Sequence, residues 1–184
     1  MYIQTQETPN PSTLKFIPGI EVLKRGSHHF NKADDNYAHS PLTKQLFKIE
    51  GVKSVFFGSD FISITKEENT QWDKIKTYIL AKLVDNFMAG IPIIKEKKAI
   101  PKKISKEGNF KIEQQIIELI NTKVRPAVAR DGGDIIYNKF KDGIVYLKLH
   151  GACQGCPSAT ITLKQGIENM LKHYISEVKS VEPV

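Results

Sequence analysis

The chain has only two cysteines and one tryptophan among its 184 residues, and it lacks any long hydrophobic run. A membrane-spanning helix needs about 20 consecutive apolar residues, so no membrane partner is expected. Residues 1–8 carry neither the basic start nor the apolar stretch of a secretory signal. Two cysteines in a chain without such a signal argue against a disulfide framework. They predict a reducing compartment and a metal or redox role.

Catalytic motifs are also lacking. The sequence offers no recognisable pairing of a nucleophile with a base, and Gly132-Gly133 is not followed by the Gly-Lys-Ser/Thr of a phosphate-binding loop. None of these motifs indicates an enzyme, and no catalytic residues are predicted.

Much of the net charge of +7 lies in one short segment. Residues 95–108 hold six lysines and two glutamates together with Pro101. Charged segments repel themselves and stay extended, so this stretch is predicted to be a basic linker between domains at 1–94 and 109–184. A patch for nucleic acid or another acidic partner is the less favoured interpretation, and nucleic acid is not expected as a partner.

The first domain is predicted to mix strands with helices. Ser40-Pro41 indicates a helix start, because serine caps helices and proline favours the first helical position. Thr70 is predicted to cap a second helix. Strands are expected at 2–6, 13–17, 52–57 and 61–65, and the last two form a hairpin around the turn at 58–60.

The second domain is predicted to have the order α-β-β-α-β. Its first helix begins near Asn109 and is interrupted or restarted at Arg125-Pro126, because proline clashes with the preceding turn. Strands follow at 134–140 and 143–149, then the cysteines, a helix whose apolar residues recur at near-helical spacing, and a strand at 176–182. The expected fold class is therefore α+β, with two small α/β-layered domains joined by a basic linker.

Both cysteines, Cys153 and Cys156, lie in the sequence Gly-Ala-Cys-Gln-Gly-Cys-Pro at 151–157. Pro157 predicts that a helix begins directly after Cys156, where free N–H groups and the helix dipole favour thiolates. A tetrahedral metal or an iron–sulfur cluster needs about four ligands. The two thiolates of one chain supply half of them.

Three interpretations of this pair stay open on the residues alone. A thioredoxin-like redox pair would place the second cysteine inside the first helical turn, which Pro157 disfavours. A zinc site would need two more ligands; His150 is expected to be an ordinary strand residue, and the other four histidines are expected to have no ligand role. An iron–sulfur cluster shared by two copies would meet the four-thiolate requirement by symmetry.

Charged residues surround the glycine turn at 132–133. Arg125, Arg130, Asp131 and Asp134 are predicted to fix this turn through capping and ion pairs. A contact with a partner protein or a second copy is the alternative.

Longer stretches place the cysteines in a family context. The sequence Arg-Pro-Ala-Val-Ala-Arg-Asp-Gly-Gly-Asp-Ile at 125–135, and residues 149–168 with both cysteines, closely resemble the C-terminal domain of NifU and the Nfu proteins. Residues 6–16 and 51–57 look like the Nfu N-terminal domain. The resemblance spans nearly the whole chain in family order.

This resemblance implies a carrier, not an enzyme, that takes up an iron–sulfur cluster, typically [4Fe–4S], and delivers it to apo-proteins. It implies that Cys153 and Cys156 are the cluster and metal ligands and that the cluster bridges a homodimer through the Cys-x-x-Cys loop. An upstream cluster scaffold is the expected donor, and purification in air can leave the site empty or zinc-filled. Because the chain begins directly with the N-terminal domain, a bacterial cytoplasmic protein is expected, or a processed form in the mitochondrial matrix.

Overall fold

A computed structural model describes residues 1–34, 36–95, 110–156 and 163–184. The chain divides into two compact units, Met1–Ile100 and Pro101–Val184, and each unit has a buried apolar cluster of its own. The predicted α+β class with two small domains is thereby confirmed. The predicted linker at 95–108 lies outside the described residues except for Lys95, so its boundaries stay a prediction.

The first unit is built on a five-stranded antiparallel sheet. Its strands are β1 (Gln4–Glu7), β2 (Thr13–Ile17), β3 (His28–Asn31), β4 (Val52–Phe57) and β5 (Ile62–Lys66), in the order β1-β2-β5-β4-β3. A 3-10 turn (Lys32–Asp34) and two helices, α1 (Pro41–Leu46) and α2 (Trp72–Met88), complete the unit. The apolar residues of both helices lie in the same buried cluster as those of the strands.

The predicted Ser40 cap holds the start of α1. The Ser40 hydroxyl accepts a hydrogen bond from the Thr43 backbone N–H at 3.3 Å and donates one to the Ile93 carbonyl at 2.7 Å. Pro41 occupies the first turn, where its missing N–H has no helical partner to lose. The predicted helix start is confirmed.

Two other local features of this unit differ from the sequence-based expectation. Gln71, not Thr70, is the N-cap of α2, and it makes no side-chain cap bond. The Thr70 side chain instead packs against Gly51, where an added Cβ would lie 2.5 Å from it. The expectation also lacks β3. This short polar strand pairs with β4 at the edge of the sheet, where polar side chains are tolerated.

The second unit has the predicted order α-β-β-α-β. Its elements are α3 (Phe110–Leu119), a π-helical segment (Ile120–Val124), α4 (Arg125–Arg130), β6 (Gly133–Lys141), β7 (Ile144–Gly151), α5 (Lys164–Tyr174) and β8 (Ser180–Pro183). The sheet order is β6-β7-β8, in which β6 and β7 form an antiparallel hairpin and β8 lies parallel to β7. Apolar residues of the helices and of the sheet share one buried cluster.

Pro126 distorts the first helix of this unit without ending it. Proline has no N–H and clashes with the preceding turn. The chain accommodates it with the π-helical segment, at whose end the Arg125 N–H donates to the Ile120 carbonyl five residues back. The helix then continues as α4, which agrees with the predicted interruption and restart at Arg125-Pro126.

The helix after the cysteines is described from Lys164. Residues 157–162, on which the prediction of a helix beginning at Pro157 rests, lie outside the described residues. In the part of the chain that is described, no helix is both long enough and apolar enough to cross a membrane.

Candidate functional site

The two cysteines lie in a tight turn at the end of β7. Gly151 and Gly155 have φ angles of 61° and 71°, in the left-handed region that glycine adopts without steric cost. The Gln154 N–H donates to the Gly151 carbonyl at 3.1 Å, which closes the turn. The two glycines therefore allow the chain to reverse within the few residues that hold both sulfurs.

This turn is anchored to the segment that joins α4 to β6. The Ala152 N–H donates to the Gly132 carbonyl at 3.1 Å, and Gly133 lies opposite Gly151 in the β6–β7 ladder. Two stretches far apart in the sequence thus meet at one end of the sheet. The cysteine turn is held by the sheet on one side and by the α4–β6 connection on the other.

Gly133 is in direct contact with Cys153. A Cβ added at Gly133 would overlap the Cys153 sulfur and would lie 3.1 Å from the Cys153 backbone nitrogen. The absence of a side chain at this position leaves the space that the thiol occupies. The sequence did not predict this role. The glycine pair indicated a turn, but nothing in the local sequence indicated a contact with Cys153, which is 20 residues further along the chain.

Both thiols are buried, and neither forms a disulfide. Cys153 is 6% exposed and Cys156 is 3% exposed, whereas Gln154 and Gly155 between them are exposed. The turn therefore presents its backbone tip to solvent while the two sulfurs face the protein.

Burial is the largest of the effects that together raise the pKa of the Cys153 thiol to about 12, followed by the nearby Cys156, Asp131 and Asp134 in that order. Removing a thiolate from water is costly, and negative neighbours add to the cost. The sequence-based expectation of a stabilised thiolate is therefore wrong for Cys153 in this state.

A partly buried ion pair fixes the start of β6 beside the cysteine turn. Arg125 donates from Nε to Asp134 Oδ1 at 2.7 Å and from Nη2 to Asp134 Oδ2 at 2.8 Å. Asp134 Oδ1 also accepts the Ile135 backbone N–H at 2.8 Å. This bidentate arrangement bears out the predicted ion pairing around the glycine turn for Arg125 and Asp134.

The histidines do not join the two cysteines in a larger ligand set. His150 lies on β7 opposite Asp134, and His173 lies near the end of α5. The remaining three, at 28, 29 and 39, belong to the first unit. Among the described residues, no group of three or more His, Cys, Asp or Glu side chains is placed to hold a metal ion.

Comparison with known proteins identifies the family of this chain. Residues 3–90 match the family model described as "Scaffold protein Nfu/NifU N terminal", and residues 116–182 match the "NifU-like domain". A human protein named "NFU1 iron-sulfur cluster scaffold homolog, mitochondrial" is 51% identical over 185 residues, which covers all of this chain and 72% of the human protein. The chain belongs to the Nfu/NifU family.

Another curated relative and one solved structure are also similar to this chain. A Drosophila ananassae protein with the same name is 47% identical over 184 residues. This chain spans 64% of the length of that relative. The solution NMR structure of a NifU-like protein from Saccharomyces cerevisiae is 30% identical, with a TM-score of 0.49, and it covers 53% of this chain and 87% of its own.

Proposed function

We propose that this Nfu-family protein is a carrier that binds an iron–sulfur cluster through Cys153 and Cys156 and transfers it to apo-proteins. The single observation that carries the proposal is the pairing of the only two cysteines of the chain, unbridged, in one glycine-containing turn. Thiolates are the ligands that hold iron–sulfur clusters in proteins. The relatives named as iron–sulfur cluster scaffolds support the same cargo.

The cargo is a [4Fe–4S] cluster shared by two copies of the chain. Such a cluster takes four cysteine ligands, and each copy brings two. A two-fold axis through the cluster would bring the same turn from each copy to opposite sides of it. The exposed tip at Gln154 and Gly155 leaves the turn accessible to a second chain, and the two buried cysteines must turn outward for their sulfurs to reach a shared cluster.

Transfer to an acceptor proceeds by exchange of thiolates. Each cysteine thiolate of the acceptor forms a bond to an iron atom as Cys153 or Cys156 of one copy and then of the other leaves, until all four carrier sulfurs are replaced, and the oxidation state of the cluster does not change. The departing sulfur takes up the proton that the acceptor thiol gave up. No general acid or base of the carrier is needed, which fits a carrier better than an enzyme.

The site is less well suited to thiol–disulfide exchange. The attacking cysteine of such an enzyme is usually accessible and has a lowered pKa. Cys153 is buried, and burial raises the pKa of its thiol. A dithiol oxidoreductase is therefore the alternative that the experiment below must exclude.

The proposal also includes a donor, an acceptor and a compartment. An upstream scaffold that assembles clusters would supply the cargo, and apo iron–sulfur proteins would receive it. The mitochondrial names of the relatives favour the mitochondrial matrix over a bacterial cytoplasm for this protein.

Anaerobic reconstitution with iron and sulfide tests the proposal. We expect a brown protein with about four iron atoms per dimer and a larger dimeric fraction by analytical ultracentrifugation. Cys153→Ala and Cys156→Ala should each abolish cluster binding while circular dichroism shows a folded protein. Colourless wild-type protein that reduces insulin disulfides would refute the carrier, and a stable cluster in either alanine variant would refute the ligand assignment.

A further inference from the structure

One face of the β6-β7-β8 sheet carries lysines around a small apolar centre. Strand alternation sends Ile135, Val145 and Leu147 into the buried cluster and their neighbours to the opposite side. The bulge between Tyr137 and Lys139 adds one residue to β6. Ile136 and Lys139, which are three residues apart, therefore lie on the same side of the sheet. We call one part of this opposite side, formed by Ile136, Lys139, Lys141, Tyr146 and Lys148, the basic sheet face. Asp134 and Glu182 lie on the same side but are paired with Arg125 and Lys164.

The cross-strand register joins these residues into one patch. Ile136 lies opposite Lys148, and Lys139 lies opposite Tyr146. The Lys139 ammonium group is 4.4 Å from the centre of the Tyr146 ring. Ile136 and Tyr146 are partly exposed and the three lysines are exposed, so the patch has an apolar centre with cations around it.

The positive charge of this face is not neutralised locally. In the described parts of the chain, Lys139, Lys141 and Lys148 form no ion pair with a carboxylate. Glu182, which lies opposite Tyr146 on β8, is already paired with Lys164 at 3.0 Å. The face therefore offers cations whose charge an acidic surface can complement.

The basic sheet face also runs towards the cysteine turn. Ile136 is three residues after Gly133, where β6 begins, and Lys148 is three residues before Gly151, where β7 ends. At about 3.3 Å per strand residue, the near edge of the face is about 10 Å from the turn. A partner seated on this face would lie next to the proposed cluster site.

We propose that the basic sheet face docks an acidic surface of the acceptor protein and orients it for cluster transfer. This inference rests on the proposed carrier function and names the chemistry of its partner. Lys139, Lys141 and Lys148 attract and align the acidic surface, while Ile136 and Tyr146 supply the apolar centre that protein interfaces commonly have.

A protein fits this face better than a nucleic acid. Single-stranded nucleic acids stack their bases on open aromatic rings. The basic sheet face has one aromatic ring, that of Tyr146, and the Lys139 ammonium group already lies against it. The face thus has charge for a polyanion but no free platform for stacking.

The test compares the rate of cluster transfer from charge variants of the full chain. The donor is reconstituted carrier, and the probe is an apo-ferredoxin chosen for its net negative charge. Lys139→Glu/Lys148→Glu reverses two charges on the face. Lys111→Glu/Lys123→Glu changes the net charge equally on α3 and the π-helical segment, so it is the matched control. Iron content is measured first, because loading must be normal before transfer is compared.

We expect the sheet-face variant to load normally and to transfer roughly 10-fold more slowly than wild type at low salt, the scale of electrostatic steering. The control should stay within about twofold of wild type. The difference should disappear near 1 M salt, where charges are screened beyond about 3 Å. Lys139→Gln/Lys148→Gln should slow cluster transfer less than the glutamate variant does, because it removes the positive charges without introducing repulsion.

Two results would overturn the inference. One is a sheet-face variant that loads normally and transfers as fast as the control. The other is binding of a single-stranded RNA oligonucleotide that depends on Lys139 and Lys148 while transfer is unaffected. Failure of the wild-type protein to load a cluster would instead refute the proposed function, so the two failures are distinguishable.

Discussion

Replacing Gly133 with alanine tests whether the end of the sheet positions the cysteine turn. An added Cβ would overlap the Cys153 sulfur and lie 3.1 Å from the Cys153 backbone nitrogen and 3.3 Å from its Cβ. Backbone atoms cannot rotate away as a long side chain can, and Gly133 is paired with Gly151 in the ladder. Cys153 must therefore move for the alanine to fit.

The expected cost is that of overpacking a dense interior, about 1–3 kcal/mol. Gly166→Ala is the matched control, because Gly166 is exposed in α5 and an added Cβ there would meet nothing within 4 Å. Alanine is favoured over glycine in a helix by about 0.5–1 kcal/mol. The control should therefore stabilise the second unit, whereas Gly133→Ala should destabilise it and lower iron binding.

Amide hydrogen exchange in β6 and β7 is the suitable assay. The one tryptophan, Trp72, lies on α2 of the first unit, so its fluorescence does not report directly on the second. Iron content after anaerobic reconstitution provides the functional measurement. If Gly133→Ala keeps wild-type exchange protection and wild-type iron content, the argument that this glycine makes room for Cys153 is refuted.

Two further variants test the ion pairs of the second unit. Arg125→Ala leaves the Asp134 carboxylate, which is 6% exposed, without its cation. Breaking a fully buried pair costs about 3–5 kcal/mol. Because Arg125 is itself 34% exposed, we expect hydrogen exchange to show a smaller decrease in the free energy of unfolding, about 2–3 kcal/mol. Arg125→Lys should lose less stability than Arg125→Ala. Equal stability of the wild type and both variants would contradict the role of the pair. Hydrogen bonds from Lys172 and the Val181 N–H lower the pKa of Glu168 below 4.5, so Glu168 stabilises the folded state above pH 4.5 and loses this effect as the pH falls through the lowered value. Glu168→Gln should therefore be less stable than wild type at pH 7 and equal to it in strong acid, as chemical denaturation at several pH values would show; a difference independent of pH would exclude this explanation.

Strong local signals in the sequence predicted much of the fold. Ser40 and Pro41 marked a helix start because a hydroxyl cap and a fixed φ act within a single turn. The glycine-containing turns similarly marked the β4–β5 and β6–β7 hairpins. The edge strand β3 escaped prediction, because its stability comes from pairing with β4 and its polar residues carry no alternation of their own.

The candidate site was predictable in its residues but not in its surroundings. Cys153 and Cys156 stand out because no other cysteine exists in the chain. The contact with Gly133 and the raised pKa of the Cys153 thiol depend on residues that only the folded sheet brings near. The helix that Pro157 predicts lies outside the described residues, whereas burial, which the local sequence does not show, is the largest of the effects that raise the pKa of the Cys153 thiol.

The π-helical segment before Pro126 corrects the rotational phase of the buried helical stripe. An α-helix turns about 100° per residue, so positions four apart drift by about 40° at each step. The buried residues of this stretch recur strictly every fourth position: Ile116, Ile120, Val124 and Val128. Three such steps in an unbroken α-helix would rotate the last side chain about 120° away from the first.

The step from Ile120 to Val124 crosses the π-helical segment, which turns less per residue because its hydrogen bonds reach five residues back. The drift is thereby reduced, and a four-residue repeat can stay in the core over the whole length. Arg125 follows directly after this segment and donates two hydrogen bonds to the Asp134 carboxylate from there. The helical segment that accommodates Pro126 thus ends at the residue that holds the start of β6 beside the cysteine turn.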